Sequence, residues 1–176
     1  QKKAKPFHEH NENKASDEII KLINDGKTIA LISDAGAPLI SDPGYPLIQR
    51  CIKEDICFTV LPGPSAVINA VILSGLPSDK FLFNGFLPKQ SEAKRKIALK
   101  LQNSDTTHIY FESAKRISKT ISIFAEVLRP NIQLAICREM TKEYESVYRG
   151  TIKEILNLIQ NNDITLLGEF VILVYP

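Results

Sequence analysis

A chain of 176 residues with 44% hydrophobic and 24% charged residues can bury a sizeable core, and this composition excludes a mainly disordered protein. A net charge of +2 does not by itself mark a nucleic-acid binder, and three scattered cysteines, Cys51, Cys57 and Cys137, exclude a disulfide framework and a CxxC zinc site. No run of about 18 apolar residues occurs and the first thirteen residues are polar, so the expected setting is the reducing cytoplasm, without secretion or a membrane span.

In chain order, Ser16-Asp17-Glu18 predicts a capped acidic first turn, Ile19, Ile20 and Ile23 an apolar stripe, and Asn24-Asp25-Gly26 the helix stop. Residues 28–33 read as a strand. Pro46 then opens a helix with Leu47, Ile48, Cys51 and Ile52 inward, and residues 57–61 read as a second strand. Ser65 is placed to cap a helix over residues 66–74, apolar nearly all round and ended by Gly75. Strand, helix, strand in this order predicts parallel pairing with right-handed crossovers.

Helix and strand signals lapse at Leu76-Pro77-Ser78-Asp79, which predicts a linker. The pattern restarts with a strand at 81–84, a basic helix at 91–101, a strand at 107–111 and a helix at 116–128 that Pro130 cannot extend. Strands follow at 133–137 and 146–149. Thr151-Ile152-Lys153-Glu154 matches a capping box, with Ile155, Leu156 and Ile159 inward, and residues 169–175 close as an apolar strand. Adjacent strands near the end predict a mixed sheet. The fold class expected is α/β, in two lobes at 1–77 and 78–176, each a sheet flanked by helices.

The first two strands each run into a Gly/Pro-rich elbow, Ser33-Asp34-Ala35-Gly36-Ala37-Pro38 and Pro62-Gly63-Pro64-Ser65. Carboxyl ends of parallel strands are where α/β proteins receive ligands, and small residues let a ligand approach the main chain. The expectation is that these elbows face the second lobe across a cleft.

The blocks SDAGAPLISDPG, LPGPS, GLPSDKF, GFLPK, YFESAKR, CREMTKEYE and GEFV, in this order and spacing, resemble the ribosomal small-subunit RNA (cytidine-2′-O)-methyltransferase branch of the tetrapyrrole methylase superfamily. The resemblance runs from about His8 to Val174. It implies two α/β domains with S-adenosylmethionine between them, a homodimer, and methylation of a ribose hydroxyl in the decoding region of the small ribosomal subunit. The family pattern opens with further strands that have no counterpart in this sequence, so a truncated first lobe is expected. Ala37 stands where Thr is common and Ala114 where Pro is common.

On this resemblance, the backbone of Asp34, Ala35, Gly36, Ala37 and Pro38 receives the methionine part of the cofactor, and Asp42 orders the loop or meets the cofactor. The alternative is a tight loop with no ligand. Gly63 and Pro64 lead to Ser65 and Ala66 at a helix N-terminus, where free N–H groups suit the nucleoside; simple capping by Ser65 is compatible with that role. Phe111, Glu112 and Ser113 are the expected cofactor neighbours in the second lobe, with Phe111 otherwise plain core.

Lys89, Lys94, Arg95, Lys96 and Lys100 crowd one helix and its entrance. They are read either as a solvated face or, together with Lys115, Arg116 and Arg138, as phosphate contacts for an RNA substrate. Arg138 and Glu139 read otherwise as sheet-end charges. Attack of a ribose hydroxyl on a sulfonium methyl needs alignment and a proton acceptor or neighbouring cation, for which Glu112, Glu139 and Lys142 are candidates. His8-Glu9-His10-Asn11-Glu12 is rich in ligand types but lacks the HExxH spacing, so no metal is expected. Two other readings stay open: a methylase of the same superfamily with a tetrapyrrole substrate, and an inactive cofactor- or RNA-binding fragment.

Overall fold

The computed structural model describes residues 4–176, which divide into two compact units, one running through Ser65 and one from Ala66 to Pro176. The first contains α1 (Glu12–Asn24) and α2 (Tyr45–Lys53). The second contains, in order, α3 (Ala66–Ser74), β1 (Phe81–Phe86), α4 (Ser91–Leu101), β2 (Thr107–Ser113), α5 (Ala114–Val127), β3 (Gln133–Arg138), β4 (Ser146–Thr151), α6 (Ile152–Gln160) and β5 (Glu169–Tyr175).

Helix α1 starts a turn earlier than Ser16. The Asn11 carboxamide accepts from the His8 N–H at 2.8 Å and donates to the Pro6 carbonyl, while Asn11 N–H donates back to His8 O at 2.9 Å. This side-chain-closed turn sets the helix going before the expected cap. Ser16 therefore lies inside the helix, buried, with its hydroxyl donating to Glu12 O at 2.6 Å. Ile20, Leu47 and Cys51 form a small core with Phe7, Ile19 and Ile56 against it, whereas Ile52, expected inward, is 60% exposed.

Residues 28–33 and 57–61 are not strands: no ladder engages either among the described residues. The expected parallel pair and the sheet of the first lobe are thereby corrected. An apolar β-branched run fits a strand, but it becomes one only where neighbouring backbone supplies the ladder bonds. The two runs instead take up no regular structure, with Ile32, Val60 and Leu61 largely exposed.

The second unit holds one mixed five-stranded sheet in the order β1-β2-β5-β3-β4, with β1 and β2 parallel and every other pair antiparallel. Alternation along the strands assigns two faces. Phe170, Ile172 and Val174 of β5, with Leu134 and Ile136 of β3, join the core under α4, α5 and α6; Phe124 of α5 lies at its centre with no exposure. Val171 and Leu173, with Ala135, Cys137 and Ile109, face α3 through Val67, Ala70 and Val71. Small Ala135 and Cys137 let α3 lie close, and burial pushes the Cys137 thiol up to about 12, so it packs as an inert apolar group. Because α3 belongs to this layer, the division between units falls after Ser65 rather than near residue 77.

Helix α6 begins as its sequence dictates. Glu154 N–H donates to Thr151 Oγ1 and the Glu154 carboxylate accepts from Thr151 N–H at 2.7 Å, a reciprocal capping box. At the other edge of the sheet, Gly85 at φ +68° breaks the β1 register between Phe83 and Phe86. In an unbroken strand those two side chains, three residues apart, would point to opposite faces. With the bulge both rings meet Phe111, at centroid distances of 4.8 and 5.4 Å.

Candidate functional site

In the first unit the two elbows are joined. Ala37 N–H donates to the Pro64 carbonyl at 3.0 Å. Gly36, at φ +76°, passes so close that a Cβ there would stand 2.9 Å from Pro64 O, so only glycine fits. Ser33 Oγ bonds the carbonyls of Ala35 and Gly36, which holds the turn. Leu39 and Ser41 adopt φ of +73° and +65°, conformations that cost such residues about 1–3 kcal/mol each and that cluster at ligand clamps.

Asp34, Ala35, Gly36, Gly63 and Pro64 all lie exposed around this junction, with Ala37 and Pro38 half-buried. Asp42 lies further along the same loop and lines a cavity of about 250 Å³ with Glu9, Glu12, Ser41, Pro43, Gly44 and Tyr45. Glu12 fastens that end of the loop by accepting from Gly44 N–H at 3.2 Å.

In the second unit, Phe111, Glu112 and Ser113 end β2 and lead directly into α5, and they are set by a buried network. Glu112 has a fully buried side chain, and Lys94 is only 2% exposed. The Lys94 ammonium donates to Glu112 Oε2 at 2.9 Å and to Thr120 Oγ1, which itself donates to the same carboxylate oxygen at 2.7 Å. Glu112 Oε1 takes Ser113 N–H at 2.8 Å and the Arg116 guanidinium at 2.6 Å, and Arg116 Nε also donates to Ser113 Oγ. Phe111 is held from the other side by Leu87 N–H, which donates to its carbonyl at 3.1 Å.

Two expectations change here. Lys94 is withdrawn from solvent and cannot reach a phosphate, and Glu112 is enclosed by cations and cannot accept a proton from a substrate. The helical spacing of Lys94, Ala98 and Leu101 marks an inward stripe that the surrounding run of basic residues hides. Lys89, Lys96, Lys100 and Lys115 are exposed, and Arg95 pairs with Glu126.

The loop between β3 and β4 makes a third group. Arg138 is 9% exposed and braces the loop from within, donating to the carbonyls of Leu167 at 2.6 Å and Tyr144 at 2.8 Å. It therefore has its donors turned inward rather than toward RNA. Glu139 Oε1 accepts from Glu169 N–H at 2.7 Å and from Lys142 at 3.1 Å, and Lys142 also reaches Glu169 at 2.9 Å. The Glu169 amide, followed by the Lys142 ammonium, holds the Glu139 carboxyl below its ordinary 4.5, while the two carboxylates raise the Lys142 ammonium above 10.5. Lys142 is thus a fixed cation and not a proton acceptor at neutral pH.

The linkage has a definite sign. A depressed carboxyl value stabilises the fold above the unfolded value near 4.5, and that contribution is lost as pH falls through the lower folded value. The Glu169 amide resonance is expected to titrate with a midpoint below 4.5 in NMR spectra, and E139Q is expected to remove the titration. A midpoint at or above 4.5 would show that the carboxylate is not held this way. The sequence gives no sign of the part played by Thr120, of the space Gly168 leaves for Glu139, or of the meeting of Phe83 and Phe86 with Phe111, since none of these belongs to a reactive residue pattern.

Among the described residues no group of three or more His, Cys, Asp or Glu is arranged to hold a metal ion, and no helix is long and apolar enough to cross a membrane. The model of the tetrapyrrole (corrin/porphyrin) methylases matches residues 1–156. The chain is 42% identical over 168 residues to ribosomal RNA small subunit methyltransferase I of Rickettsia prowazekii; the match covers 96% of this chain and 59% of the relative, so the chain spans under two thirds of that relative's length. Among solved structures, the methyltransferase CobJ aligns with a TM-score of 0.64 at 17% identity, covering 93% of this chain and 71% of that one. A Thermus thermophilus uroporphyrin-III C-methyltransferase complexed with S-adenosylhomocysteine aligns at 0.57 and 10% identity, covering 94% and 73%. These likenesses extend over nearly the whole of the described fold. The chain belongs to the tetrapyrrole (corrin/porphyrin) methylase family.

Proposed function

We propose that the protein carrying this chain is an S-adenosylmethionine-dependent methyltransferase, a cytoplasmic homodimer, that methylates the 2′-hydroxyl of a cytidine in small-subunit ribosomal RNA. The observation that carries the cofactor part is the joined pair of elbows, where Gly36 lets the first loop pass against the Pro64 carbonyl and the backbone of residues 34–36 and 63–64 lies exposed around the junction. The RNA part is supported by the 42% identity to a relative named for ribosomal RNA methylation, against 17% for the structurally similar CobJ.

The backbone of Asp34–Pro38 and of Gly63–Ala66 holds the cofactor in this reading, with Asp42 ordering the loop between them. In the second unit, Phe111 and Ser113 offer an aromatic face and main-chain groups of the kind a nucleoside takes, and Glu112 acts only by fixing them. When bound, S-adenosylmethionine supplies a methyl group on a positive sulfonium, an already activated donor that needs no metal. Alignment of the ribose oxygen is then the main contribution required of the protein. Of the three candidate groups Glu139 is the retained proton acceptor: its Oε2 accepts no hydrogen bond among the described residues, while Lys142 keeps the carboxylate oriented. Lys89, Lys96 and Lys115, exposed cations, are the retained phosphate contacts, with Arg95 partly committed to Glu126.

The test is transfer of labelled methyl by the full-length protein to unmodified small ribosomal subunits, followed by mapping of the modified nucleotide. Label on a cytidine 2′-oxygen is the expected result. Label on a base, or transfer to a tetrapyrrole and none to intact subunits, overturns the reading.

A further inference from the structure

Tyr144 is 64% exposed at the tip of the β3–β4 connection, yet its backbone is tied into the loop. The inward-facing Arg138 guanidinium donates to its carbonyl at 2.8 Å. On either side, Thr141 N–H donates to Glu145 Oε2 at 2.7 Å and Glu145 N–H donates to Lys142 O at 3.2 Å.

The loop also bears strain where a simple chain reversal would use Gly, Asn or Asp. Glu139 and Thr141 have φ of +48° and +64°, and a β-branched residue in that region is a true outlier. Gly168, at φ +92°, leaves the space that the Glu139 carboxylate fills; a Cβ there would lie 2.5 Å from it. The fold thus spends several constraints on presenting one aromatic ring to solvent.

The surrounding charge indicates what that ring meets. Glu139, Glu143, Glu145 and Glu169 outnumber Arg138 and Lys142, so the loop tip disfavours phosphate. A nucleobase is neutral, offers a π-face to any aromatic, and in single-stranded RNA is free to leave its neighbours. Carboxylates beside the ring are suited to accept from an exocyclic amino group.

We infer that Tyr144 is a stacking platform for an unpaired base of the RNA substrate, set out by the Arg138 brace. This rests on the RNA reading above. Pre-organisation matters because a ring already held in place loses little freedom on binding.

The test uses full-length protein and small ribosomal subunits. Y144A is expected to raise KM for the subunit roughly ten- to a hundredfold, as loss of one base–aromatic stack does. It should leave the affinity for S-adenosylmethionine, the unfolding midpoint and the salt dependence of subunit binding unchanged. Y144F and Y144W should restore KM, and the fluorescence of Y144W should be quenched on adding subunits. Wild-type transfer with an unchanged KM in Y144A, or a Y144F that fails as badly as Y144A, overturns the stacking role alone. Wild-type protein that neither binds nor methylates subunits overturns it together with the RNA reading.

Discussion

G36A is expected to weaken S-adenosylmethionine binding at least tenfold. The new methyl would stand 2.9 Å from the Pro64 carbonyl oxygen, and a backbone carbonyl cannot step aside as a flexible side chain can. Either the alanine is forced out of φ +76° or the elbows part and the 3.0 Å bond from Ala37 N–H to Pro64 O is lost. Backbone strain of about 1–3 kcal/mol and a lost hydrogen bond of about 0.5–1.5 kcal/mol are each comparable with the 1.4 kcal/mol that makes a tenfold change in affinity. Gly26 supplies the control. It has a similar φ of +79° but nothing within 4 Å, so G26A incurs the backbone strain without disturbing the elbows. Calorimetry on the full-length protein should find weakened binding in G36A and normal binding in G26A. Equal affinities in the two variants would remove the elbows from the cofactor site.

The second large effect is on stability. K94M leaves Glu112 buried while removing one of its two cationic partners, and breaking a buried pair from one side typically costs about 3–5 kcal/mol. Arg116 still reaches Oε1, so the loss belongs at the lower end of that span. Denaturant unfolding followed by circular dichroism gives the number. The double variant K94M/E112L removes the ammonium and the carboxylate together and should recover part of the loss, because an apolar pair of similar volume is often no worse than the ion pair. A K94M loss below about 1 kcal/mol would mean that solvent reaches Glu112 after all.

These two sites differ in how much of them the sequence discloses. Helices α3 and α4 and strand β5 have the bounds that periodicity predicts, and α6 starts at its capping box, because in each case local signals and packing agree. The runs at 28–33 and 57–61 have strand composition without strand structure, since composition specifies which residues fit a sheet and not whether a neighbour supplies the ladder. The elbows were legible as Gly/Pro punctuation, but their meeting at Ala37 and Pro64 is a tertiary fact. Lys94 is hidden in the sequence because a single inward lysine among surface lysines looks like its neighbours; only Ala98 and Leu101 on the same helical stripe betray it. Its partner Glu112 shares strand parity with buried Tyr110, a sign equally available and equally easy to pass over.

The strand order has a further consequence for how the second unit is made. β5 comes after all the other elements in the chain yet lies in the middle of the sheet, flanked by β2 and β3. Neither neighbour can complete its hydrogen bonding on that side until Glu169–Tyr175 has arrived. At roughly 5–20 residues per second of synthesis, several seconds separate the appearance of Ser113 from that of Glu169. Throughout that interval β2, and from its own appearance β3, presents an open apolar edge, the kind that nascent chains pair wrongly or hand to chaperones. β5 thus decides when β2 and β3 are joined, and slowing translation between β2 and β5 lengthens the period in which their facing edges stay unpaired.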